Sequence, residues 1–192
     1  KEELAAPTDM GTLVHECLAK FLGMHLQEKL PKYDFAVLWD DLKQEFQNLC
    51  DEYIANGKLL QNELWGAEQK RLLNMLHKWL RYEYDMQGKW NFVPCAVEWA
   101  FNNKEGAPLR LKLEDGQKFA IMGRVDRIDK NGDKVFVTDY KLGSVPAVDD
   151  LPNGVDLQLP IYLLAANKLY GKEVAGGGYL SMKEGKRKNN VK

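Results

Sequence analysis
The stretch over residues 123–141 constrains this chain more than any other. Gly123-Arg124-Val125-Asp126-Arg127-Ile128-Asp129 and Val135-Phe136-Val137-Thr138-Asp139-Tyr140-Lys141 are rich in β-branched and aromatic residues, and Asn131-Gly132 stands between them. That pattern predicts a β-hairpin with a type I′ turn, which needs positive φ at both central positions. With Asn131 and Gly132 as the loop, Lys130 faces Asp133, Asp126 faces Val137 and Arg124 faces Asp139. Asp126 and Asp139 are then diagonal neighbours on one face, about 7–8 Å apart at the backbone. Lys141 shares that face, because side chains two apart in a strand point the same way. A three-residue loop would send the two carboxylates to opposite faces.

Two carboxylates and an ammonium crowded on one face need an organising partner. Like charges at short range repel and raise one pKa, and burial adds a desolvation cost. A hard divalent cation, Mg²⁺ or Mn²⁺, resolves the conflict through oxygen ligands. The competing reading is an exposed hairpin whose charges are simply solvated, with an Asp–Lys pair that contributes little.

An acidic residue on one strand followed by Asp-x-Lys on the next resembles the core of the PD-(D/E)XK nuclease superfamily. More closely, residues 123–129, Asp139-Tyr140-Lys141 and Gln158-Leu159-Pro160-Ile161-Tyr162 resemble the RecB-like nuclease domain of bacterial helicase-nucleases, the AddB-type branch in particular. Gly11-Thr12-Leu13-Val14-His15-Glu16 resembles the helix that carries that family's histidine. The four motifs run in the family's order from residue 11 to residue 182.

The resemblance implies a Mg²⁺- or Mn²⁺-dependent DNA nuclease, an exonuclease within a helicase-nuclease complex for double-strand-break repair and recombination. Asp126 and Asp139 would hold the metal, with His15 and the carbonyl of Tyr140 completing the shell. Lys141 would act on the attacking water, and Gln158 and Tyr162 would line the cleft and position substrate. The implied partners are DNA, single-stranded or at duplex ends, and a second helicase-nuclease subunit. For Glu98, the roles of metal ligand, partner for Arg124 and solvated residue stay open. A catalytically silent, DNA-gripping scaffold is the alternative, although a silent copy has no need to keep Asp126, Asp139 and Lys141. A stand-alone restriction-type endonuclease would need a sequence-reading element, and none is legible.

Composition adds bounds. The 192 residues suit one domain, 45% of them hydrophobic and 29% charged, as in ordinary globular chains. A net charge of −1 gives no global sign of a nucleic-acid binder, which is usually basic. The basic run Lys183-Glu184-Gly185-Lys186-Arg187-Lys188 reads as a solvated tail. Cys17, Cys50 and Cys95 are odd in number and lack zinc-ligand spacing, which fits buried thiols in a reducing cytoplasm. Some relatives of the RecB-like family hold an iron-sulfur cluster through late cysteines; with no cysteine after Cys95, none is expected within these residues. No membrane-spanning apolar run or signal peptide is present, so a cytoplasmic location is expected. The chain starts without methionine and reads as a piece of a longer protein.

Elsewhere, residues 8–25 read as a helix capped by Thr8 or Asp9, with Val14, Cys17, Leu18, Phe21 and Leu22 as its apolar stripe. His15 lies at the stripe's edge. Two further helices are expected between residues 35 and 86, broken at Asn56-Gly57, as a helical insertion at about 34–88. Gly88 then punctuates, residues 90–101 read as a strand carrying Glu98, and 102–117 as a loop or short hairpin. Residues 142–156 form a loop beside the site, and a helix follows to about 170 with Pro160 in its first turn. Residues 173–182 make a last strand, where Gly176-Gly177-Gly178 allows a bulge or close approach. The expected class is therefore α/β, with a mixed central sheet flanked by helices around a restriction-endonuclease-like core.

Overall fold
The computed structural model describes residues 7–102, 104, 106–146 and 156–191. It opens with three helices, α1 (Pro7–Gly23), α2 (Phe35–Ala55) and α3 (Trp65–Lys89). Strands β1 (Val93–Phe101), β2 (Leu109–Lys112), β3 (Lys118–Ile121), β4 (Gly123–Asn131) and β5 (Lys134–Lys141) follow. Helix α4 (Gln158–Leu169) then leads to β6 (Glu173–Ser181) and β7 (Lys186–Val191). Five strands form one mixed sheet in the order β1-β4-β5-β6-β7, and β2 and β3 pair as a separate ribbon. Only β5 and β6 run parallel within the sheet, and α4 supplies the crossover that a parallel pair requires.

Apolar residues at helical spacing explain the layers. On α1, Leu13, Val14, Cys17, Leu18, Phe21 and Leu22 are fully buried, one stripe facing inward. They pack with the inner faces of α2 and α3, and Tyr140 and Leu180 of the sheet, with Met182 just beyond β6, join that core. A second core lies on the opposite side of the sheet, where Leu159, Ala165 and Ala166 of α4 meet Ile128, Val135 and Val137. The sheet is thus sandwiched between a three-helix layer and α4. The break between α2 and α3 falls where expected: Asn56 caps α2 and Gly57 takes φ +70. Among the described residues no helix is long and apolar enough to cross a membrane.

Several expectations are corrected. The hairpin loop is Gly132-Asp133, because Asn131 pairs with Lys134. Gly132 is the one with positive φ, +58, so a single left-handed residue suffices when glycine leads the loop. Asp133 is held from outside the hairpin, its carbonyl accepting from Glu173 N–H at 3.0 Å and its carboxylate meeting Lys172 at 2.8 Å. The register therefore moves by two, which preserves the parity. Helix α1 begins at Pro7, so Thr8 and Asp9 fall inside its first turn. Gly88 lies inside α3, and Trp90 caps that helix by donating to the Met86 carbonyl at 2.8 Å, which delays β1 to Val93. Residues 147–155 of the expected loop lie outside the described residues.

The basic run is only in part a solvated tail: Lys183, Glu184 and Lys186 are exposed, whereas the Arg187 side chain is buried. Its second half, Lys186 to Lys188, opens the last strand, and the guanidinium of Arg187 lies 4.2 Å from the ring centre of Trp90 while its Nη2 is 3.5 Å from Asp129. A planar cation on an aromatic face can be buried where an ammonium would resist. The triple glycine does what its composition suggests: the β5–β6 register shifts between Val135 and Phe136, and a Cβ on Gly177 would stand 2.8 Å from Leu163 of α4.

Candidate active site
The corrected register brings the two hairpin carboxylates closer than the sequence implies. The β4–β5 ladder is regular from Asn131–Lys134 to Arg127–Thr138, and one step further puts Asp126 opposite Asp139. There the ladder stops. β4 remains with β1 up to Gly123, and β5 remains with β6 up to Lys141. Across the opening, the Tyr140 N–H donates to Asp126 Oδ2 at 2.7 Å. In a strand the N–H and carbonyl of one residue point to the same side, so the Tyr140 carbonyl also faces this opening.

Lys141 Nζ stands 2.8 Å from Asp139 Oδ2 and donates to Gln158 Oε1 at 2.6 Å. The Gln158 amide donates in turn to the Tyr162 hydroxyl at 2.9 Å, a pairing that i, i+4 spacing on α4 allows. Asp156 supports this arm: it accepts the Gln158 N–H at 2.9 Å and the Tyr179 hydroxyl at 2.5 Å, while the Tyr179 ring lies 5.4 Å from Lys141 Nζ. Motif matching assigns Asp156 no such role. An Asp two residues ahead of a helical N–H is the signal that could have found it.

His15 and Glu98 complete the cluster from other elements. His15 Nδ1 is 3.3 Å from Asp126 Oδ1, and its ring meets the Tyr140 ring edge-on at 6.0 Å. Glu98 lies opposite Asp126 in the β1–β4 register, between the Val97–Arg127 and Trp99–Val125 pairs. Its backbone is left-handed, φ +48. One ligand atom from each of His15, Glu98 and Asp126 falls within 4.8 Å of the others. Arg124 is 3.4 Å from Glu98 at the exposed rim. Of the three roles left open for Glu98, ligand distance and the Arg124 pair are both realised geometrically. These groups open onto a groove of about 720 Å³ that also reaches Gly11 and Thr12.

The electrostatics favour a cation here. Burial first, then the charge of Asp126, pushes the Asp139 carboxyl up to about 6, with Lys141 pulling the other way. Glu98 is raised by burial and by Asp126. Burial alone would lower the His15 imidazole, but the hydrogen bond to Asp126 and the charges of Asp126 and Asp139 raise it. Asp139 Oδ2 is buried, and its charged neighbour is the Lys141 ammonium at 2.8 Å. Three carboxylates and an imidazole gathered in one place, with the single ammonium of Lys141 beside them, are a donor set that a hard divalent ion satisfies. The tightest trio is His15, Glu98 and Asp126, with Asp139 turned toward Lys141.

The pattern of the PD-(D/E)XK nuclease superfamily matches residues 1–192. The chain is 31% identical over 183 residues to an ATP-dependent helicase/deoxyribonuclease subunit of Carboxydothermus hydrogenoformans, covering 89% of this chain and 16% of that protein. The proteins of the same name from Clostridium tetani and Clostridium novyi are 27% and 28% identical, over 81% and 92% of this chain. The chain spans only 14 to 17% of the length of these three relatives.

Proposed function
This chain belongs to the PD-(D/E)XK nuclease superfamily, and on that premise we propose that it is a divalent-metal-dependent DNA nuclease domain, an exonuclease serving a cytoplasmic helicase-nuclease complex in double-strand-break repair and recombination. The observation that carries the reading is the meeting of Asp126 and Asp139 where β4 and β5 part, with Lys141 on the same face. The name that the relatives share, a helicase/deoxyribonuclease subunit, supports the larger setting.

Asp126, Asp139 and the Tyr140 carbonyl would hold Mg²⁺ or Mn²⁺, with His15 and Glu98 reaching the same ion from α1 and β1. The bound ion supplies Lewis acidity, which acidifies the attacking water and offsets charge growing on the phosphoryl oxygens. Lys141 adds a fixed positive charge beside that centre and orients the water for in-line attack. Gln158 holds Lys141 in place, so the ammonium needs no reorganisation when charge develops. Tyr162, pushed up to about 12 chiefly by burial, stays protonated and presents a hydroxyl to the substrate strand.

Calorimetric titration of Mn²⁺ into the chain and its Asp139→Asn variant, with cleavage of end-labelled single-stranded DNA followed in parallel, tests the reading. Binding and cleavage should fall together in the variant. Cleavage that survives the substitution overturns the site, and metal binding without cleavage in the unmodified chain favours a DNA-gripping scaffold.

A further inference from the structure
The chain leaves the main sheet after Phe101 and returns at Gly123, and between them it builds the β2–β3 ribbon. One face of the ribbon is anchored: Leu109 is fully buried, and Leu111 and Ile121 pack with it against the α4 core. The other face turns Arg110, Lys112 and Lys118 to solvent, and all three are exposed. Lys112 pairs directly opposite Lys118, and Arg110 lies one pair further along that face, opposite Ala120. None of the three has an acidic partner at ion-pair distance among the described residues. The ribbon's own carboxylates, Glu114 and Asp115, sit in the connecting turn, where Asp115 accepts the Gln117 N–H at 2.9 Å.

This arrangement costs stability as it stands. Like charges directly opposite in an antiparallel pair are destabilising, and a two-stranded ribbon is marginal by itself. A bridging anion would relieve the repulsion. The ribbon also stands in a telling place. Its root is the Phe101–Gly123 pair, where the Phe101 ring fills the space a Cβ on Gly123 would need, 2.5 Å away. The same ring meets that of Tyr162 at 6.1 Å, and α4 packs against β2. Glu98 and Asp126 each lie three residues from the root, roughly 10 Å along an extended strand, and Lys118 lies five residues beyond it on the other side, roughly 17 Å, a span of a few nucleotides in all.

We propose that the β2–β3 ribbon is a phosphate clamp, on which Arg110, Lys112 and Lys118 grip the backbone of a DNA strand a few nucleotides away from the carboxylate cluster. The clamp rests on the nuclease reading of the cluster, but its test does not depend on cleavage. The occupant is a nucleic-acid strand rather than an acidic protein because the cations share their root with the residues that face the scissile bond, and a polyanion must pass there.

The test is fluorescence anisotropy of a labelled single-stranded oligonucleotide, without divalent metal and over a series of salt concentrations. It compares the chain with its Arg110→Gln/Lys112→Gln/Lys118→Gln variant. The variant should bind at least about tenfold more weakly, and its plot of log affinity against log salt should be shallower by about 2, three contacts at about 0.7 each. Its melting temperature should be unchanged or higher, since the repulsion is gone. A second variant, Lys112→Arg/Lys118→Arg, keeps the charge and should keep the affinity. Equal affinity and equal salt slope in the chain and its Gln variant overturn the clamp, as they would if the ribbon served an acidic protein. Weaker binding by the Gln variant alongside an unmodified chain that cleaves no DNA would keep the clamp and remove the nuclease reading; cleavage with unaltered binding would do the reverse.

Discussion
The Asp126 carboxylate accepts the Tyr140 backbone N–H at 2.7 Å, spanning the gap where the two hairpin strands separate. One residue therefore serves both the fold and the candidate metal site, and the two roles can be separated. Asp126→Asn keeps an acceptor and loses the charge; Asp126→Ala leaves a buried N–H without a partner, at about 1–3 kcal/mol. Thermal denaturation should find the alanine variant clearly less stable than the asparagine one, while Mn²⁺ calorimetry finds both impaired. Equal stability of the two would mean that the bond contributes nothing.

The raised Asp139 carboxyl makes stability depend on pH. Its folded pKa of about 6 lies above the ordinary carboxylate value, so the folded chain binds more protons than the unfolded one between about pH 4 and pH 6. The associated stability is complete below that window and is lost as pH rises through 6. Asp139→Asn resembles the permanently protonated form. Without metal it should melt above the unmodified chain at pH 8, by about 1–3 kcal/mol, and the gap should close toward pH 4. Mn²⁺ affinity of the unmodified chain should fall as pH drops below 6, because the metal competes with the proton.

Glu98 holds a left-handed backbone within a strand, at φ +48. For a residue other than glycine or asparagine this costs roughly 1–2 kcal/mol, a strain that places a carboxylate beside His15 and Asp126. Glu98→Asn, which tolerates this conformation, should be more stable than Glu98→Ala by about 1 kcal/mol in urea unfolding. Both should bind Mn²⁺ more weakly than the unmodified chain. An alanine variant as stable as the asparagine variant would show that the strain is released by other means.

Behind the site, Arg127 is fully buried between Glu83 of α3 at 2.9 Å and Asp129 at 2.7 Å, and its Nη1 also reaches the Tyr140 hydroxyl at 3.4 Å. Two guanidiniums, Arg127 and Arg187, face two carboxylates, so the charges balance. Arg127→Met should cost about 3–5 kcal/mol in chemical denaturation, because it leaves buried carboxylates short of their partner. Glu83→Gln, which keeps an acceptor, should cost less. A loss near zero for Arg127→Met would mean that water or a rearranged Arg187 satisfies the cluster.

Local pattern made the helices, the hairpin and the order of motifs legible. Helical spacing found the buried face of α1 and the break at Asn56-Gly57; the β-branched runs found β4 and β5, and period two put Asp126, Asp139 and Lys141 on one face. That parity survived a misassigned turn because the register moved by an even number. The exact register was not legible, since the Asp133 carbonyl is held by the N–H of Glu173, forty residues away in sequence.

The same distinction runs through the chain's chemistry. Asp139 with Lys141 and Gln158 with Tyr162 were readable as neighbours from residue order, because each pair is an interval of two or four along one element and such intervals fix a face; Asp126 joined Asp139 only through the pairing of the hairpin. The resemblance implied that His15 joins Asp126, but it took the folded chain to bring Glu98 to Asp126 across strands and to bury Arg187 of an apparently solvated basic run on Trp90. Charge pattern cannot distinguish a solvated cation from a buried one, because burial depends on which aromatic face and which carboxylates the fold brings to it from elsewhere in the chain.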